Sequence, residues 1–165
     1  IGREVAKIAI GIGMQVYTVD PIVEDAVIDF NLYETGDVFL GIKVRTTKME
    51  KLLAMSDIIS VHVPLMGEKP LIGNEEINKM KDGVILINTS RGGVIDEKAL
   101  LDALNSGKVA GAGLDVFVNE PNPDKELLQH PNISLTPHIG AETMEAQSYI
   151  GMEIAEQIID FFNLH

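Results

Sequence analysis

The chain has 165 residues, enough for one ordinary domain with a hydrophobic core, and its 45% hydrophobic and 23% charged content is that of a globular protein. Its 25 acidic residues outnumber 13 basic ones, for a formal net charge of -12 with no Lys/Arg run, which argues against nucleic acid and anionic membranes as partners. There is no cysteine, which excludes disulfides, thiolate metal sites and a cysteine nucleophile, and the apolar runs are too short to cross a bilayer.

The first segment reads as a helix with Val5, Ile8, Ala9 and Ile12 on one face, stopped by Gly11 and Gly13. A strand is expected at 15–20, followed by a polar, poorly patterned stretch over 21–41. A short strand at 42–45 and a helix at 48–55 come next. Residues 58–63 are almost all apolar, the pattern of a strand buried on both faces. A helix at 75–80 leads to a second such strand at 84–88. Asp96 is placed to cap a helix over 97–105, with Gly107 just beyond its end. Strands at 109–116 and 133–136 follow, and a last helix from Glu142 carries Ile150, Ile154, Ile158 and Phe161 as an apolar stripe. The alternation predicts an α/β domain, doubly wound around a parallel sheet with helices on both faces.

The beginning is unusual for that pattern. A dinucleotide-binding unit runs strand, Gly-rich turn, helix; here the helix is present while the strand and the first part of the turn are absent. Ile1-Gly2 fits the last two positions of G-x-G-x-x-G, and Asp20 lies at the spacing of a ribose-binding acid. Gly11-Ile12-Gly13 fails as the turn, because Val16 stands at the next glycine position. In this strand order the absent strand would lie at the centre of the sheet. The chain expressed alone is therefore expected to be unstable and inactive.

Three strand ends carry chemistry. Asn88-Thr89-Ser90-Arg91-Gly92-Gly93 follows an apolar strand, and ligands of open α/β sheets bind beyond the carboxyl ends of their strands. Arg91 offers a fork of donors matched to a carboxylate; alone, it reads equally well as a surface arginine. Asp115 and Glu120-Pro121 follow the next strand, and Pro137-His138-Ile139-Gly140 the last. Singly, His138 reads as a structural histidine and Glu120 as a solvated charge. Together they form an acid–base pair, since histidine exchanges protons near neutral pH and a carboxylate fixes its tautomer.

The run from Met80 through Asn88-Thr89-Ser90-Arg91-Gly92 resembles the signature of the D-isomer-specific 2-hydroxyacid dehydrogenases. So do Val19-Asp20-Pro21, His62-Val63-Pro64-Leu65, Gly113-Leu114-Asp115-Val116-Phe117, Glu120-Pro121 and Pro137-His138-Ile139-Gly140-Ala141. The ending Gly140-Ala141-Glu142-Thr143-Met144-Glu145-Ala146-Gln147 is similar to that of the D-3-phosphoglycerate dehydrogenases of this family. The resemblance implies His138 as general acid/base, Glu120 as its partner, and Arg91 as the group that orients the substrate carboxylate. It places NAD against Ile1, Asp20, Val63, Thr89, Ser90, Arg91, Asp115, His138 and Gly140, with no metal. Asp20 would accept from the ribose hydroxyls of NAD and repel the 2′-phosphate of NADP.

The implied function is NAD-dependent hydride transfer from a D-2-hydroxy acid, D-3-phosphoglycerate first, as the entry to serine biosynthesis. Glycerate, glyoxylate or lactate is the nearby alternative, and an NAD-sensing corepressor the alternative of another class. A cytoplasmic homodimer or higher homo-oligomer acting on a small 2-hydroxy or 2-oxo acid is expected, with the family's substrate domain outside residues 1–165. The stretch between Asp20 and His62 is longer than the resemblance accounts for, and His62, His130 and His165 receive no role.

Overall fold

A computed structural model describes residues 1–31, 39–67 and 69–162. His165 and the middle of the 21–41 stretch lie outside the described residues. In chain order the elements are α1 (Gly2–Gly11), β1 (Asp25–Asn31), β2 (Phe39–Arg45), α2 (Met49–Met55), β3 (Ile58–Val61) and α3 (Asn74–Lys79). They continue with β4 (Val84–Asn88), α4 (Glu97–Ser106), β5 (Val109–Leu114), α5 (Lys125–Gln129), β6 (Ile133–Leu135) and α6 (Met144–Phe162). Among the described residues no helix is long and apolar enough to cross a membrane.

β3, β4, β5 and β6 lie side by side in that order, every neighbouring pair parallel. Alternation decides which face each residue serves. In β4, Val84 and Leu86 are buried while Ile85 is 39% exposed; in β3, Ile59 and Val61 are buried while Ile58 is 43% exposed. The expected burial of these strands on both faces is therefore not what the described residues show. The core is one-sided: Leu53 of α2, Ile77 of α3, Ala99, Leu100, Ala103 and Leu104 of α4, and Leu127 of α5 join the inward residues of the sheet. Each fully buried leucine contributes about 1.5–3 kcal/mol.

Local rules set the boundaries. Asp96 caps α4 by accepting from the N–H groups of Lys98 and Ala99, both at 3.0 Å, and Gly107 ends the helix in the left-handed region. Asp124 starts α5, an element the sequence pattern does not announce, by accepting from the N–H of Glu126.

Two expectations fail in the first third of the chain. Residues 15–20 form no strand. Thr18 makes a single parallel bridge to Thr46, supported by the Thr47 N–H donating to the Thr18 carbonyl at 2.7 Å. A strand exists only where a partner continues the ladder, and none does among the described residues. The supposedly unpatterned stretch instead contains β1 and the start of β2, paired antiparallel with Ile28 opposite Ile42. None of α6's residues is buried, so its apolar stripe packs into no core among the described residues.

Candidate active site

Because the four strands are parallel, their last residues form a row: Val61 is registered with Asn88, Asn88 with Leu114, and Leu114 with Leu135. His62 and Val63, the turn from Thr89 to Gly93, Asp115, and the loop from Thr136 to Gly140 all leave the sheet along this edge. The start of α1 reaches it too, as a side chain at Gly2 would lie 3.4 Å from the His62 Cβ.

Asn88, buried at the end of β4, shapes the first turn. Its Oδ1 accepts from the Ser90 N–H at 3.0 Å and the Ser90 hydroxyl at 2.9 Å, and its Nδ2 donates to the Arg91 carbonyl at 2.9 Å. Its own carbonyl accepts from the Asp115 N–H at 3.0 Å, tying this turn to the end of β5. Gly92 then passes so close to the next loop that a Cβ there would sit 2.0 Å from the Phe117 carbonyl oxygen. Only glycine permits that approach. The Arg91 side chain is exposed, its Nη1 donating to the Ser90 carbonyl at 2.6 Å.

Asp115 organises the opposite loop. It is 4% exposed, and it accepts from the Thr136 hydroxyl at 2.5 Å and from the N–H groups of Ile139 and Gly140, both at 2.9 Å. Burial pushes its carboxyl up, but the bonds from Thr136, Ile139 and Gly140 outweigh that and hold it below the usual range. With these bonds made, Asp115 shapes the loop that carries His138. That loop bends sharply, for His138 has a φ of 57°, in the left-handed region.

Glu120 meets His138 across the two loops, with Oε2 2.6 Å from Nδ1. Its Oε1 accepts from the Phe117 N–H at 2.8 Å. The bond to His138, then the bond from Phe117, holds the Glu120 carboxyl below the usual range. An ionised carboxylate is acceptor only, so Nδ1 carries the hydrogen and Nε2, on the far side of the ring, is the atom left to exchange a proton. The pair can therefore take up and return a proton at one defined atom.

The structure thus joins two of the three expected catalytic residues directly. Arg91 shares their edge and its turn packs on the Glu120 loop through Gly92, but it bonds to neither among the described residues. Of the expected cofactor residues, Ser90, Arg91, Asp115, His138 and Gly140 lie within this network, with Thr89 exposed and Val63 half-buried on the same edge. Ile1 opens α1, whose start receives no side-chain cap among the described residues, and N–H groups at a helix start suit a phosphate. Asp20 is exposed, and its Oδ1 accepts from the N–H groups of Ile22 and Val23 at 2.8 and 2.9 Å. These two bonds hold its carboxyl below the usual range, leaving an ionised group suited to ribose hydroxyls. At Gly140 an added Cβ would come within 3.0 Å of the Asp115 Oδ2. The helix start and the exposed acid fit a dinucleotide.

Sequence reasoning missed Glu97, whose Oε1 accepts from the Val118 N–H at 2.7 Å in the middle of this network. Its place at the start of α4 reads as an ordinary first-turn acid. The separation of 21 residues gives no local signal.

A parallel sheet with ligand-facing loops along its carboxyl edge, beside the start of a helix, is the layout of a dinucleotide-binding domain. Comparison with known proteins narrows this. The family model described as D-isomer specific 2-hydroxyacid dehydrogenase, NAD binding domain, matches residues 1–140. The chain is 45% identical over 162 residues to a D-3-phosphoglycerate dehydrogenase of Bacillus subtilis, covering 98% of this chain and 29% of that protein. It is 44% identical to a hydroxypyruvate reductase of Thermotoga maritima, covering 96% of this chain and 48% of the relative. A crystal structure of D-lactate dehydrogenase from Aquifex aeolicus, complexed with NAD and lactic acid, superposes with a TM-score of 0.75 at 32% identity. That match covers 99% of this chain and 50% of the other. The chain belongs to the D-isomer specific 2-hydroxyacid dehydrogenase family, in its NAD binding domain. It spans 29% and 48% of the length of those two relatives.

Proposed function

We propose that this chain carries the cofactor side and the acid–base machinery of an enzyme that oxidises a D-2-hydroxy acid, with D-3-phosphoglycerate the first candidate. The observation that carries the reading is the 2.6 Å contact between His138 Nδ1 and Glu120 Oε2 at the carboxyl edge of the sheet. When bound, NAD supplies the hydride acceptor, held by the start of α1, Asp20 and the loops bearing Val63, Thr89 and Gly140. His138 Nε2 takes the hydroxyl proton as the substrate's C–O bond becomes a carbonyl, and in the reverse direction returns it. Glu120 keeps the ring in the tautomer that leaves Nε2 free and stabilises the imidazolium that forms. Arg91, once released from the Ser90 carbonyl, would bind the substrate carboxylate through paired N–H donors.

The substrate preference rests on the 45% identity to a D-3-phosphoglycerate dehydrogenase and on the sequence from Gly140 to Gln147. The 44% identity to a hydroxypyruvate reductase favours a second reading, the same chemistry on a smaller 2-oxo acid. NADH formation by the full-length protein on D-3-phosphoglycerate, D-glycerate and D-lactate separates the two. Replacing His138 by Asn should lower kcat by about 10²–10⁴-fold. Equal rates before and after that change would remove His138 from the mechanism.

A further inference from the structure

The turn that presents Glu120 is held from several sides, and one hold comes from a residue outside the acid–base pair. Glu97 is the first residue of α4, and it is half-buried. Its Oε1 accepts from the Val118 N–H at 2.7 Å. Val118 adjoins Phe117, whose N–H donates to Glu120 at 2.8 Å, and Glu120 in turn holds His138 at 2.6 Å. On the other side of the same peptide, Gly92 presses against the Phe117 carbonyl. α4 is anchored in the core by Ala99, Leu100, Ala103 and Leu104, so Glu97 extends from a fixed base.

We infer that Glu97 is a positioning residue: through the Val118 N–H it fixes the turn from Phe117 to Glu120 and so sets the register of Glu120 against His138. This deepens the functional reading above and rests on it for its effect on turnover. The electrostatics give the role a distinguishing mark. Burial pushes the Glu97 carboxyl above the usual range against the pull of the Val118 N–H, and the facing carboxylates of Asp124, Asp96 and Glu120 push it the same way. Among the described residues no salt bridge offsets this. On acidification Glu97 therefore takes up its proton before Glu120, whose carboxyl is held low, and the hold on Val118 weakens first.

The test uses the full-length protein, E97A and E97Q, and two readouts. The first is the ¹⁵N and proton resonance of the His138 Nδ1–H group, which needs no turnover. E97A should shift it or lose it, whereas E97Q should restore it in part, because its neutral amide oxygen accepts from the same Val118 N–H more weakly than the carboxylate does. The second is reduction of hydroxypyruvate by NADH from neutral to acid pH, the direction in which His138 gives a proton to the substrate. E97A should lower kcat about tenfold to a hundredfold with KM for NADH unchanged. Wild type should slow on the acid side; E97Q, neutral like the protonated acid, should be slowed less than E97A and show no acid-side decline of its own. A His138 resonance identical in wild type and E97A overturns the inference. If E97A does not fold, an acid limb or resonance pH dependence in E97Q matching wild type overturns it alone. If the resonances behave as described but no 2-hydroxy or 2-oxo acid is turned over, the functional reading fails and the positioning role stands.

Discussion

Around β1 and β2, the carboxylate of Asp25 meets Lys43 at 2.8 Å and Arg45 at 3.3 Å, with both cations largely in solvent. At the carboxyl edge of the parallel sheet, the carboxylate of Asp115 meets two backbone N–H groups and a hydroxyl in the interior. Both carboxyls are held below the usual range, Asp25 by the bond from Lys43 above all and Asp115 by its three bonds against burial. The same direction of shift describes very different structural weight. A surface ion pair is screened and loses side-chain entropy, whereas a buried acceptor that dictates a loop leaves several groups unsatisfied when it is removed.

The contrast can be tested from its strongest point downward. Gly92→Ala should cost about 3 kcal/mol or more, because the Phe117 backbone would have to move away from the new Cβ. Chemical denaturation of the full-length protein measures it, and a loss below 1 kcal/mol would mean that the two turns are not locked together. Asp115→Asn should cost about 1–3 kcal/mol, since the new amide nitrogen would face a loop N–H donor to donor. It should also change acid sensitivity in a defined direction. A carboxyl whose folded pKa lies below its ordinary 3.8 contributes stability that is present above that value and is lost as pH falls through the folded one. The Asn variant should lack this part of the acid loss. Smallest of all, Asp25→Asn should leave the unfolding midpoint unchanged at 0.15 M salt. A clear drop there would place β1 and β2 among the cooperative parts of the fold.

The same contrast explains what was legible in the sequence. β4 and β5 with their glycine-rich turns, the Asp96 cap, and the grouping of Arg91, Glu120 and His138 at strand ends all follow from local patterns plus the parallel-sheet rule. β1 was missed because its acids at positions 25 and 29 make the segment look polar, although Ile28 between them is buried. Residues 15–20 carry strand-like side chains, but the outcome depended on a ladder partner that no local pattern reports. Glu97 was missed for a related reason. Its partner is a backbone N–H, and backbone groups leave no trace in the residue alphabet.

The bend at His138 has a consequence for how this position varies. A φ of 57° is open without strain to glycine, and among other residues is favoured several-fold by asparagine, aspartate and histidine. Residue 138 is therefore filtered twice, once for a ring that moves protons and once for a backbone that tolerates the left-handed region. Alanine substitution conflates the two by adding strain to the loss of the ring, whereas asparagine isolates the chemistry. Drift in relatives that abandon the reaction should accordingly run toward Asn, Asp or Gly at this position rather than toward Gln or Leu.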